Sequence, residues 1–216
     1  MARIELVVFD IGETILREDR VWAEWADWLG VTPTVLSAVL GSVISNRKDH
    51  RLAFKVIKPG FDFESERVAK EATGLNSRRR SEDLYPDAVP CIEHLAELGY
   101  RVALAGNQPI SIEAMLDELA LPVEFVASSE RWGVAKPSPA FFARVVKEAG
   151  ISAEHIAYVG DRLDNDVLPA RQAGMFSVFI RRGPWGYLQA SWPEADRADA
   201  RIESLEELAD IFGARV

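Results

Sequence analysis

Apolar positions begin almost at once. Ile4 to Phe9 is apolar and β-branched except for Glu5, and the run stops at Asp10. A short run of this kind predicts a strand buried on both faces, as in a parallel sheet. From residue 17 the period lengthens to that of a helix. Val21, Trp22, Trp25, Trp28 and Leu29 share one helix face, and Gly30 supplies the stop. Thr32-Pro33 offers an N-cap with proline at the first helical position, and Leu36, Val39, Leu40, Val43 and Ile44 follow at helical spacing. Another helix is predicted over Glu64–Thr73, before Gly74, and no strand is predicted between residues 17 and 84.

From Tyr85-Pro86 onward, strands and helices alternate. Strands are predicted at Arg101–Ala105, Val123–Ala127, Ile156–Val159 and Ser177–Ile180. Helices are predicted near Asp87–Leu98, Ile112–Leu119 and Asp166–Ala173, with one more between Ser138-Pro139 and Gly150. Ser204-Leu205-Glu206-Glu207 is a capping box that opens a last helix before Gly213. Such alternation builds βαβ units, hence a parallel sheet with helices on both faces. The expectation is an α/β core domain from residues 1–16 and 85–216, with a helical domain, 17–84, inserted after the first strand.

Composition adds limits. At roughly 150 residues per domain, 216 residues suit one domain and a smaller insertion. With 48% apolar and 27% charged residues, wholesale disorder is excluded. There is no apolar run of the 18 residues a membrane span needs, so no membrane partner is expected. Glu5 and Asp10 interrupt the N-terminal run too early for a signal peptide. Cys91 is the only cysteine, which rules out an intrachain disulfide and a multi-cysteine zinc site and predicts a reducing, cytoplasmic setting. The 25 Lys and Arg against 34 Asp and Glu give a net charge of −9, which argues against nucleic-acid binding. That charge is uneven. Residues 46–80 hold ten basic residues and five acidic ones, a local +5 that leaves −14 elsewhere. The block reads either as a solvated helix face or as a means of drawing in an anionic substrate.

Ligands of open α/β sheets lie beyond the carboxyl ends of the strands. Asp10-Ile11-Gly12-Glu13-Thr14 follows the first strand, and Gly106-Asn107-Gln108 follows the second. Lys136-Pro137 comes after the third, and Gly160-Asp161 through Asp166 after the fourth. Taken singly, Asp10, Asp161 and Asp166 read as helix caps and Lys136 as a loop lysine. Together, in this order at these strand ends, they point to one crevice. Carboxylates crowded at a sheet edge repel one another, and a cation resolves the repulsion. Oxygen ligands without histidine favour Mg²⁺, with Lys136 as counter-charge to a phosphate. A carboxylate nucleophile is one use of such a site.

The segments Phe9-Asp10-Ile11-Gly12-Glu13-Thr14-Ile15, Gly106-Asn107, Lys136-Pro137-Ser138-Pro139 and Gly160-Asp161 with Asp166 resemble the four motifs of the haloacid dehalogenase superfamily of hydrolases. The inserted helical block resembles that superfamily's C1-type cap. The resemblance implies a Rossmann-like, doubly wound core. It implies that Asp10 is the nucleophile and forms an aspartyl-phosphate. It further implies Mg²⁺ held by Asp10, the Gly12 carbonyl and Asp161 with Asp166 close behind, Lys136 neutralising the phosphoryl group, and Gly106 and Asn107 beside the substrate.

Two positions depart from that pattern. Phosphatases of the superfamily carry an acid two residues past the nucleophile, where this chain has Gly12, and a Ser or Thr hydroxyl where it has Gly106. General acid–base catalysis is worth roughly 10²–10⁴-fold. Glu13 and His50 are the candidates to replace the acid, whereas His94 and His155 read as surface histidines. Three functions compete: a phosphatase of a small phosphorylated metabolite, a binding-only relative, and a carbon–halogen or carbon–phosphorus hydrolase. Dehalogenases of the superfamily carry a bulky residue where Gly12 stands, which weighs against the third.

Overall fold

A computed structural model of the chain describes residues 3–74 and 79–213. Arg78 of the basic block lies outside the described residues, as do residues 1, 2 and 214–216 of the expected core domain. The chain divides into two compact units, Met1–Arg17 with Arg80–Val216, and Glu18–Arg79. Strand β1 (Leu6–Phe9) is followed by helices α1 (Asp19–Leu29), α2 (Pro33–Ser45), α3 (Leu52–Ile57) and α4 (Phe63–Ala72). Next come α5 (Ala88–Glu97), β2 (Arg101–Gly106), α6 (Ser111–Asp117), β3 (Val126–Ser128), α7 (Ser129–Trp132) and α8 (Pro139–Ala149). The chain continues with β4 (Ile156–Gly160), α9 (Leu168–Gln172), β5 (Phe176–Ile180), α10 (Gly183–Gln189), β6 (Ala200–Ile202) and α11 (Leu208–Gly213).

Among the described residues six strands form one sheet, β3-β2-β1-β4-β5-β6, with every neighbouring pair parallel. This order makes the core doubly wound and Rossmann-like, the fold class expected from the sequence. Its central strand shows why the apolar run is unbroken. Successive side chains of β1 point to opposite faces, Val7 and Phe9 into one cluster and Leu6 and Val8 into the other. Helices α5 and α11 supply Ile92, Leu95, Leu208 and Phe212 to the first cluster, and α8 supplies Phe141, Phe142 and Val145 to the second. Because both faces are covered, no position in β1 has to be polar.

Four features differ from the sequence reading. The Val123 strand begins at Val126; residues 124 and 125 already bond to β2, through Glu124 N to Val102 O and Leu104 N to Phe125 O, but at a sheet edge without regular pairing. The segment after Arg182, for which the sequence pattern predicts no element, contains α10. Pro184 lies in its first turn, and Trp185, Gly186 and Gln189 are its buried positions, too few to show a period. The helix expected at Asp166 is preceded by a π-helical turn, Leu163–Val167. Strand β6 and helix α3, with three and six residues, are too short for their patterns to register.

The Glu18–Arg79 unit holds only helices among its described residues. Its core is aromatic. Trp25 and Phe54 are buried, their centroids 5.2 Å apart edge to face, and Phe54 stacks on Phe61 at 5.1 Å. Trp22 and Trp28 pack against this cluster, so the tryptophan stripe is core. Much of the basic block is engaged within the unit: Arg67 pairs with Glu64 and Glu71, Lys58 with Glu66, and buried Lys70 with Glu24 at 3.1 Å. Phe54→Ala removes the ring shared by these contacts. Urea unfolding followed by tryptophan fluorescence should show a loss of about 3–5 kcal/mol. An unchanged midpoint would show that this cluster does not hold the unit together.

Candidate active site

The strand order places β1 between β2 and β4, with Phe9 level with Leu104 and Val159. The first residue past β1 is therefore flanked by the ends of both neighbours. That residue is Asp10, whose main-chain N–H donates to Val159 O at 2.8 Å. Gly106 closes β2 beside it. A Cβ built on Gly106 would lie 2.6 Å from Asp10 Oδ1, so the Asp10 carboxylate itself fills the place a hydroxyl-bearing side chain would need.

Lys136 arrives from the loop before α8. Its Nζ donates to Asp10 Oδ1 at 2.5 Å and to Asp166 Oδ1 at 2.6 Å. Lys136 is 4% exposed, and its ammonium lies over the rings of Tyr158 (5.5 Å) and Phe141 (5.9 Å). Burial would push this ammonium down, but Asp10 and Asp166 outweigh it and hold it well above its usual range. Asn107 fixes the lysine's backbone. Its Nδ2 donates to Lys136 O at 2.9 Å, and Lys136 N donates to its Oδ1 at 2.8 Å.

Asp161 follows β4, and Asp166 sits in the π-turn. Oxygens of Asp10, Asp161 and Asp166 lie within 4.8 Å of one another, and all three side chains are buried. Asp166 Oδ2 accepts the Arg162 main-chain N–H at 3.0 Å. A Cβ on Gly160 would fall 2.5 Å from the Asp166 Cβ, so glycine is needed for this close approach. Burial pushes the Asp10 carboxyl up to about 7, with Asp166 adding to the rise and Lys136 opposing it. Asp161 is raised well above its usual range by burial and by Asp166, Asp10 and Glu13, against Arg162.

These observations test the fit of a metal. Three buried carboxylates face one lysine, and Asp161 Oδ2 is buried with no hydrogen-bond partner. Hard, anionic oxygens left under-compensated suit a small divalent cation. The structure thus brings Asp10, Gly106, Asn107, Lys136, Asp161 and Asp166 together, with Gly12 in the loop directly after β1. The two candidate replacement acids each have partners of their own. Glu13 is buried and accepts from the Tyr85 hydroxyl at 2.7 Å, while His50 stands 3.5 Å from Asp49 within the helical unit.

Sequence reasoning did not single out Tyr158, Tyr85, Arg182 or Gln189. Tyr158 looks like any strand residue, yet its hydroxyl donates to Ala105 O at 2.7 Å and ties β4 to β2 beneath the lysine. The Arg182 guanidinium lies 4.3 Å from the Tyr85 ring, pairs with Asp87 and donates to Thr14 O. A polar residue that interrupts an apolar strand, or follows one directly, is the only sequence signal these positions carry.

The model of the haloacid dehalogenase-like hydrolases matches residues 4–174. A glyceraldehyde 3-phosphate phosphatase of Methanopyrus kandleri is 35% identical over 130 residues, 59% of this chain and 55% of that protein. The chain therefore spans little more than half the length of this relative. A HAD phosphatase from Thermococcus onnurineus superposes with a TM-score of 0.60 at 26% identity, covering 97% of this chain and 98% of that one. The magnesium-bound HAD hydrolase YfnB from Bacillus subtilis gives 0.72 at 18% identity over 98% and 99%, a likeness of fold alone.

The raised carboxyls have a consequence for stability. Asp10 ordinarily titrates at 3.8 but holds its proton to about 7 in the folded chain. Between those values the folded state binds more protons than the unfolded one, so stability falls as pH rises. In chelator, the melting temperature should drop from pH 5 to pH 8, and Asp10→Asn should flatten the drop. A melting temperature that rises over this interval would contradict the assigned carboxyl shifts.

Proposed function

The chain belongs to the haloacid dehalogenase-like hydrolases, and from that premise we propose that it is a Mg²⁺-dependent phosphatase acting on a small phosphorylated metabolite. The observation that carries this reading is Asp10, held by Lys136 at 2.5 Å and grouped within 4.8 Å with Asp161 and Asp166. The phosphatase relatives support it as well.

In this mechanism an Asp10 carboxylate oxygen bonds to phosphorus as the bond to the leaving oxygen breaks. The product is an aspartyl-phosphate, which water then hydrolyses to restore Asp10. Lys136 balances charge on Asp10 and on the phosphoryl oxygens. Asp10, the Gly12 carbonyl and Asp161 would hold Mg²⁺, with Asp166 behind them. Bound there, Mg²⁺ would supply Lewis-acid stabilisation of phosphoryl charge. Gly106 and Asn107 would line the phosphoryl site. The Asn107 amide holds the Lys136 main chain with one N–H and its oxygen, which leaves its second N–H for the phosphoryl group. The helical unit serves as a cap, and its basic residues draw the anionic substrate.

Nothing at position 12 donates a proton to the leaving group. Gly12 and the crowded Gly106 therefore favour a second reading, a relative that binds Mg²⁺ and a phosphorylated ligand without turnover. A panel of phosphate esters and anhydrides at substrate-level enzyme concentration separates the two. Mg²⁺-dependent ligand binding with no phosphate release would support the second reading.

Asp161→Asn should weaken Mg²⁺ binding by calorimetry, and Asp10→Asn should abolish turnover. Equal Mg²⁺ affinity in Asp161→Asn and wild type would refute the metal assignment.

Aryl and acyl phosphates, whose leaving groups depart unprotonated, should be turned over faster than alkyl esters. Gly12→Asp should raise alkyl phosphatase turnover by on the order of ten- to a thousand-fold, below the full acid–base factor because Gly106 still lacks a hydroxyl. Backbone strain does not oppose this change: the left-handed residue of the loop is Glu13, at φ 52, and Gly12 is not among the positive-φ glycines. A folded, Mg²⁺-binding Gly12→Asp variant with no gain on any alkyl ester would rule out the missing-acid account.

A further inference from the structure

Helix α10 was not foreseen in the sequence, and its buried side chains reach the turn that carries Asp166. Gln189 is 1% exposed. Its Oε1 accepts the main-chain N–H of Leu163 at 2.6 Å, and its Nε2 donates to Asp164 Oδ1 at 2.9 Å. Leu163 opens the π-turn Leu163–Val167, where the first N–H groups have no partner inside the turn. Gln189 satisfies one of these groups from outside. One helical turn earlier, Trp185 lies under the Arg162 guanidinium at 4.8 Å. Arg162 also pairs with Asp164 at 2.8 Å, and its main-chain N–H holds Asp166 Oδ2. Every residue from Arg162 to Asp164 is thus fixed from α10, directly or through one partner, and this segment connects Asp161 to Asp166.

We propose that Gln189 is a positioning residue for the metal-holding turn, setting the separation of Asp161 and Asp166 through Leu163 and Asp164. This rests on the Mg²⁺ reading given above. The side-chain amide is specific to the task. It presents an acceptor to Leu163 and a donor to Asp164 at once, which neither a carboxylate nor an aliphatic side chain can do. Groups that hydrogen-bond metal ligands directly typically govern metal affinity by roughly 10–100-fold; Gln189 acts one residue further out, which places its effect toward the lower end of that range.

The test is Mg²⁺ titration by calorimetry on the full chain, with thermal melts in chelator. The proteins are wild type, Gln189→Leu, Gln189→Glu, and Gln189→Glu combined with Asp164→Asn. Gln189→Leu should weaken Mg²⁺ binding by on the order of tenfold. Gln189→Glu places a second carboxylate against Asp164 and should weaken it too. Added negative charge alone would tighten Mg²⁺ binding, so weaker binding has the sign of lost geometry. The double variant restores the donor–acceptor match with its polarity reversed and should recover most of the lost affinity.

Wild-type affinity in both folded single variants, or a double variant no better than Gln189→Glu, overturns the assignment. If Gln189→Leu does not fold, the Gln189→Glu pair decides. A wild-type chain that takes up no Mg²⁺ overturns the metal reading itself. Intact wild-type binding with unaffected variants overturns only the role of Gln189.

Discussion

Three buried carboxylates, only two of them paired with a lysine, set the terms for the rest of the molecule. Asp10, Asp161 and Asp166 cannot all stay ionised in a dry site without compensation, and Lys136 supplies one positive charge. The consequence is visible in the folded chain: burial and mutual repulsion raise the Asp10 and Asp161 carboxyls. A fold gains nothing in stability from such a cluster, and the hydrophobic core on either side of the sheet does not need it. Its retention is a cost carried for chemistry, which is why the cluster and not the fold points to function.

The sheet makes the crowding possible. A parallel order with β1 flanked by β2 and β4 brings three strand ends together at the point where the chain reverses its winding. Side chains beyond those ends converge without any long excursion. Lys136 comes from further along the chain, and its backbone is accordingly clamped at both N–H and C=O by Asn107. Tyr158 adds a bond from β4 to β2 below the ammonium. These two contacts hold the cation where its two carboxylates need it.

The sequence carried the parts of this arrangement that depend on local chain order. Strand runs ending in Asp10, Gly106 and Gly160-Asp161 were legible because each apolar run is long enough to register and each is followed directly by its candidate site residue. The partners that fix those residues were not legible. Gln189 and Trp185 lie on a seven-residue helix with Gly186 inside it, too short to display a period. Their value comes from contact with residues more than twenty positions away, which only the fold reveals. The place of Asn107 after β2 marks it as a candidate substrate contact, but does not reveal that its side chain also grips the Lys136 backbone. Nothing in a linear pattern distinguishes an amide turned to a ligand from one turned to a neighbouring loop.

Gly12 and Gly106 fall at the two positions nearest Asp10 where the superfamily pattern places groups that move protons or align phosphoryl oxygens. The residues that manage charge are all present. On the proposed reading the chain keeps what makes Asp10 a nucleophile and stabilises a phosphoryl group, but lacks what eases the departure of a poor leaving group. These two capacities are separable in energy. Charge stabilisation acts on the phosphoryl group whatever its leaving group, whereas a general acid matters in proportion to the basicity of the departing oxygen. The crowding at Gly106 shows how closely they are coupled in space. With the β2 backbone so near Asp10 Oδ1, no side chain enters unless the nucleophile moves. A hydroxyl at position 106 therefore requires a shift of the Asp10 side chain. Gly12 has no left-handed backbone to oppose a side chain there, which makes it the simpler of the two departures to test by substitution.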